Sequence, residues 1–310
     1  MRLDLLAALS GVLISLQSRA NGELSHRMNN GLEAALISFG SGLLVLSLIS
    51  LFIPGISGGA RKLRTAARTG LLPKNRLFAG VLGASFVAVQ TQMVPLLGVA
   101  VFSVASIAGQ TGASLGVDRL GLTGGGKKHI TVRRVAAAVI TVLAVLISAW
   151  DRIDAKNLSF ISVLIAGIAG GIVGIQRAFN GQINEHSGQS FTTSLLNFAT
   201  GTSALFLVLV LGTLTHRAHF TALPNGPWWI YTGGTIGMLY VAFTSTIVQH
   251  LGVLTFTLFS IGGQLVGALI IDLVVPTHGV SVSWYLVGGI VMTYVGVVVG
   301  GSGQSRFARR

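Results

Sequence analysis

Ten apolar runs, each close to the roughly 20 residues a helix needs to cross the hydrocarbon of a bilayer, constrain this chain more than any other feature. They fall near 3–20, 32–53, 77–95, 97–117, 131–150, 158–177, 191–213, 228–248, 251–275 and 283–300. The tracts 77–117 and 228–275 are too long for one crossing, so each must hold two spans, joined near 96 and 250. Pro54-Gly55 closes the second run, Asn225-Gly226-Pro227 opens the eighth, and Thr123-Gly124-Gly125-Gly126 separates the fourth from the fifth. Pro95-Leu96-Leu97-Gly98 reads as a tight turn or as a kink in a bent helix. A β-barrel would instead show short segments of alternating polarity, which these continuous runs are not. The fold class expected is an all-α polytopic membrane protein.

Only 9% of the 310 residues are charged, too few to coat a soluble fold of this size. The 42 glycines sit inside the apolar runs without a collagen period, where small residues let membrane helices approach closely. Cysteine is absent, which removes disulfides, thiol nucleophiles and Cys-based metal sites. The net charge of +13 would suggest nucleic acid in a soluble protein. Here the basic residues lie between apolar runs, so no nucleic-acid partner is expected. The first run lacks a clean small-residue cleavage site and reads as a retained span rather than a signal peptide.

The basic residues orient the chain. With the N-terminus inside, cytoplasmic segments receive Arg2, Arg61, Lys62, Arg64, Arg68, Lys74, Arg76, Arg119, Lys127, Lys128, Arg133, Arg134, Arg177, Arg306, Arg309 and Arg310. Arg19, Arg27, Arg152, Lys156 and Arg217 remain for the outer side. That bias predicts ten transmembrane helices with both termini cytoplasmic.

The chain also repeats itself. Leu16-Gln17-Ser18-Arg19-Ala20-Asn21-Gly22 matches Ile175-Gln176-Arg177-Ala178-Phe179-Asn180-Gly181, and at the same offset Gly11 meets Gly170, Phe39 meets Phe198 and Gly42 meets Gly201. A second block pairs Gly80 with Gly234, Gly83 with Gly237, Ser106 with Ser260, Gly109-Gln110 with Gly263-Gln264, and Asp118 with Asp272. Gln, Asn and Asp are too rare in apolar runs for chance to align them this often. The expected units are a first five-helix repeat, 1–152, and a second, 153–310, in one membrane domain. Five is odd, so the second repeat enters the bilayer inverted. Secondary transporters are commonly built so, with the substrate near mid-membrane between the repeats.

Polar residues inside the runs are the candidate site. Gln17 and Asn21 share a helix face, as do Gln176 and Asn180. Each pair can contact substrate or gate it, or can cap and glue helices. Gln110, Gln264 and Asn197 lie deeper and can line a cavity or bond neighbouring helices. Glu33, Asp118 and Asp272 are the carboxylates nearest the membrane and hence the ion-coupling candidates, although span-end carboxylates also serve as caps. His250 reads as interfacial. His216 and His219 are three apart but have no third ligand, so no metal site is expected. No phosphate-binding loop, nucleophile elbow or His-Glu-x-x-His is present, so neither an enzyme nor a cofactor is expected.

These segments, Gln17 to Gly22 with Gln176 to Gly181, Phe39-Gly40-Ser41-Gly42 with Phe198-Ala199-Thr200-Gly201, and the two Gly-Gln pairs with Asp118 and Asp272, resemble an uncharacterised bacterial inner-membrane family of the drug/metabolite transporter superfamily. The resemblance spans nearly the whole chain outside its charged loops and corresponds to a fused, two-repeat form. It implies a ten-helix bundle of inverted five-helix halves in the bacterial cytoplasmic membrane. It further implies a secondary transporter that moves a small metabolite or drug-like solute by alternating access, with proton-coupled export among the forms such transport can take. The partners expected are membrane lipid, the small solute and protons. A channel would need a continuous polar pathway. A non-transporting scaffold or regulatory protein is the alternative, and it would need no cavity.

Overall fold

The computed structural model describes residues 3–122, 130–148, 150, 158–216, 220–251, 253–277 and 282–301. Among them the chain is all helical: α1 (Leu3–Met28), α2 (Gly31–Phe52), α3 (Pro54–Arg68), α4 (Ala79–Leu120), α5 (Val132–Ser148), α6 (Leu158–Ser187), α7 (Ser190–Leu214), α8 (Gly233–Leu251), α9 (Val253–Val274) and α10 (Trp284–Gly301). Five helical stretches, at Leu3–Met28, Gly31–Phe52, Lys74–Val117, Phe160–Ser187 and Ser190–Leu214, are long and apolar enough to cross a membrane. Shorter apolar stretches lie at Val135–Ser148, Gly233–Thr244, Phe259–Val274 and Trp284–Val299.

Straight, α4 would run roughly 63 Å, twice the hydrocarbon thickness. It is broken at Gly98, whose φ of 78° and ψ of 166° lie outside helical space and favour glycine. The two arms fold back on each other. Gly83 of the first arm abuts Gln176, while Gln110 and Ala113 of the second abut Gly174, so residues from both arms lie at one level of α6. The reversal sits at Gly98, with Pro95 still inside the first arm.

Three boundaries differ from the sequence reading. α1 continues to Met28 and α6 to Ser187, well past the expected ends at 20 and 177. Their polar segments stay helical because their amides and charges find partners on neighbouring helices. The expected loop after the second span contains α3, an amphipathic helix. Its Ile56, Gly59, Leu63 and Ala66 are buried, while Arg61, Lys62, Arg64 and Arg68 are exposed. Dense basic charge hid the apolar stripe.

Turn chemistry is the same in both repeats. Asn29 (φ 49°) and the repeat-equivalent Gly188 (φ 64°) take the left-handed conformation after α1 and α6. Asn30 and Gln189 then cap α2 and α7 with their side chains.

Packing is exchanged between the repeats. A methyl group at Gly11 would strike Ser260 and Gln264 of α9, and one at the equivalent Gly170 would strike Ser106 of α4. Gly263 meets Ala8, and Gly109 meets Gly167. Gly42 meets Phe198, Gly201 meets Phe39, and those two rings stack at the centre with centroids 4.9 Å apart. These contacts run in parallel for α1 with α9 and for α6 with the second arm of α4, and antiparallel for α2 with α7. Helices approach this closely only where side chains are absent, and in lipid the attraction is dispersion between fitted surfaces. α5 and α10 pack on each other through Gly289 and Gly296.

Candidate functional site

The seam between the repeats collects the polar side chains. At one end Gln90 on the first arm of α4 donates to Ser18 Oγ (2.7 Å) and accepts from Asn21 Nδ2 (3.0 Å). Gln90 and Asn21 are completely buried, and Gln17 packs on Gly237 across the seam. At the equivalent end of the second repeat the network is different. Gln176 Nε2 donates to Asn197 Oδ1 (3.0 Å), and Asn197 Nδ2 donates to Asn180 Oδ1 (2.7 Å) and to the Thr193 carbonyl (2.8 Å). Gln176 packs on Gly83. Ser38, which occupies the Asn197 position in the first repeat, has a buried hydroxyl with no partner, as has Asn21 Oδ1.

The deeper glutamines follow the same exchange. Gln264 is buried and its carbonyl accepts from Ser15 Oγ (2.7 Å). Gln110 is buried beside Gly174, and its Oε1 has no partner.

The carboxylates are occupied. Glu33 accepts from Asn30 Nδ2 (3.1 Å) and from the amide (2.9 Å) and hydroxyl (2.7 Å) of Thr221. It closes the cap of α2 and ties down the segment after α7. Its equivalent, Thr192, ties down α3 through the Ile56 carbonyl (2.9 Å). Asp272, buried on α9, accepts from the amides of Val99 (3.2 Å) and Ala100 (2.8 Å) and so caps the second arm of α4 where Gly98 frees its first donors. The side chains of Asp118 and His250 lie outside the described residues, as do His129 and His219. Among the described residues no cluster could hold a metal ion.

Sequence reasoning missed several members. Gln90 has no sequence signal beyond being a polar residue in the third run, since its partners Ser18 and Asn21 are distant in sequence. Glu23 lies between Arg19 (2.9 Å) and Arg27 (2.8 Å), and Arg19 further donates to the Val275 carbonyl (3.1 Å) and sits 5.4 Å from the centre of the Trp229 ring. The four-residue spacing of Arg19, Glu23 and Arg27 was the available signal. Arg177, expected at the cytoplasmic end of the sixth span, is inside α6 and donates to the Tyr240 hydroxyl (2.9 Å).

The two equivalent segments differ in exposure. From Gln17 to Ser25 every residue of α1 is buried, whereas Gln176, Arg177, Asn180 and Gln182 of α6 are part-exposed and Gly181 is open. On the nearby arm of α4, Gly112 and Gly116 are also open and face nothing within 4 Å.

A family model described as "Putative inner membrane exporter, YdcZ", within the drug/metabolite transporter group, matches residues 3–147 and again 161–299. The chain belongs to the YdcZ family. Membership makes it a multi-pass protein of the bacterial inner membrane and a secondary transporter of a small metabolite or drug-like solute, not an enzyme. The two matched regions also establish the duplication. A solved structure described only as a crystal structure of a protein shares the fold over 99% of this chain and 98% of its own length, with a TM-score of 0.54 at 14% identity. No curated protein matches.

Proposed function

We propose that this transporter works by alternating access between two inverted five-helix halves, 1–152 and 153–310, with ten spans and both termini cytoplasmic. The single observation that carries the proposal is the unequal burial of equivalent segments, fully buried from Gln17 to Ser25 but part-exposed at Gln176, Arg177, Asn180 and Gln182 and open at Gly181. Two halves related by a pseudo-two-fold axis give two states by exchanging conformations, and an unequal pair is what one of those states looks like. The parallel and antiparallel contacts support the ten-span count, because each agrees with odd and even spans running in opposite directions. With the N-terminus inside, the closed end faces out and the open end faces the cytoplasm, the loading state of an exporter.

Gln17, Asn21, Gln110, Gln176, Asn180, Asn197 and Gln264 would then line the route or the gates on either side of it. Proton coupling would fall to Glu33, Asp118 or Asp272. The donors around Glu33 and Asp272 tie both carboxylates into helix caps and support first a structural part in gating for both.

Solute flux in proteoliposomes, with and without a pH gradient, tests the transport mechanism. Tags in the turns at Asn29-Asn30 and Gly188-Gln189 test the inversion. The two turns should be accessible from opposite faces, and accessibility from one face only would end the inverted-repeat reading.

A further inference from the structure

The two halves differ most sharply at one equivalent pair, Ser18 and Arg177. Ser18 is buried and fully engaged: it donates to the Ile14 carbonyl (2.8 Å) and accepts from Gln90 (2.7 Å). Arg177 is a permanent cation ten residues before the end of α6, flanked by the neutral Gln176 and Asn180. Among the described residues, every acidic partner of an arginine is Glu23, which serves Arg19 and Arg27. Among the described residues Arg177 has no carboxylate partner. Its tie is the Tyr240 hydroxyl, and its Nε is buried with no acceptor.

A guanidinium left in this condition is expensive unless something anionic completes it. Tyr240 accepts from Arg177, so its own hydroxyl proton is free to be donated. Arg177 Nε–H, buried in this state, and the Tyr240 O–H are then two donors beside the part-exposed face, with Gly181 one turn away and lacking any side chain to block approach. We propose that Arg177 and Tyr240 form the substrate's anion-binding subsite, and that the solute carried is a small organic or inorganic oxyanion bearing a carboxylate or phosphate. This rests on the transport reading above and adds the charge of the substrate to it. The equivalent positions in the first half, Ser18 and Phe86, carry no charge, so the anion would be gripped from the cytoplasmic side and met by neutral groups on the way out.

The test uses the full-length protein, with benzoate and inorganic phosphate as the probes and benzamide as the uncharged control. Thermal stabilisation by each probe is titrated in detergent, and flux of the same probes is measured in proteoliposomes. At least one oxyanion should bind, and benzamide should not. A charge-assisted contact of this kind predicts that Arg177→Ala weakens binding by about tenfold to hundredfold. Arg177→Lys should recover part of the loss, and Tyr240→Phe should cost about threefold to tenfold. Recovery by Lys separates loss of the charge from loss of the fold. The inference is overturned if neither oxyanion binds, or if both bind Arg177→Ala as well as the natural protein. It also fails if the protein moves a neutral solute at a rate that Arg177→Ala leaves unchanged, a result that keeps the transport reading. Arg177-dependent binding without any flux would keep the subsite and remove the transport reading.

Discussion

The C-terminal half of α1 and the C-terminal half of α6 descend from one sequence, and they now occupy opposite situations. In α1 the segment carries three charges, Arg19, Glu23 and Arg27, yet its residues from Gln17 to Ser25 are buried. In α6 the equivalent residues 176–184 carry one charge, Arg177, yet Gln176, Arg177, Asn180 and Gln182 are part-exposed and Gly181 is open. The difference teaches that burial here follows pairing rather than charge count. Glu23 neutralises its two neighbours along the helix, the Val275 carbonyl takes another donor, and the ladder can be covered. Arg177 has no such partner and stays at the edge of an opening.

The comparison can be broken most severely at Glu23. Glu23→Gln leaves Arg19 buried without its carboxylate, and removing one member of a buried pair typically costs about 3–5 kcal/mol. The variant should show a large drop in melting temperature and increased access to the α1 segment from outside. A stable variant with an unchanged seal would show that the ladder does not hold this end shut. Next in size is the cysteine contrast, made simple because the chain has no cysteine of its own. Gly181→Cys should react readily with a water-soluble maleimide and Ser18→Cys at least about tenfold more slowly, since exposure governs thiol reaction. Equal rates would erase the asymmetry.

A smaller effect is expected at the cap. Asp272→Ala should destabilise by about 0.5–2 kcal/mol, the range for losing a helix N-cap, read from thermal unfolding in detergent. Smallest is the effect at Ser38, taken against its repeat counterpart Asn197. Asn197→Ala removes bonds to Gln176 and Asn180 and should cost about 1–3 kcal/mol. Ser38→Ala removes a hydroxyl that bonds nothing and should stay within about 0.5 kcal/mol. Similar losses at both would mean that the two halves are held by the same network after all.

Much of the fold was legible because lipid leaves a long, low-charge signature and because glutamine, asparagine and aspartate stand out within it. The repeat and the helix class followed from those residues alone. What stayed hidden depends on partners far away in sequence. Gln90 cannot be matched to Asn21 without the packing of α1 on α4, nor Asp272 to Val99 and Ala100. α3 was hidden by its own arginines, and Arg177 by a helix that continues ten residues further than its apolar run. Of the candidate site, Gln176, Asn180 and Asn197 do form one network, while Gln17 and Asn21 belong to another. Glu33 is bound up in a cap whose repeat counterpart is the uncharged Thr192.

The carboxylate of Asp272 reaches amides 172 and 173 positions earlier in the chain. During synthesis, the second arm of α4 must therefore wait for this cap until α9 has left the ribosome. Neither half is a finished object by itself, and a single-copy ancestor could have completed this joint only by borrowing from a sister molecule.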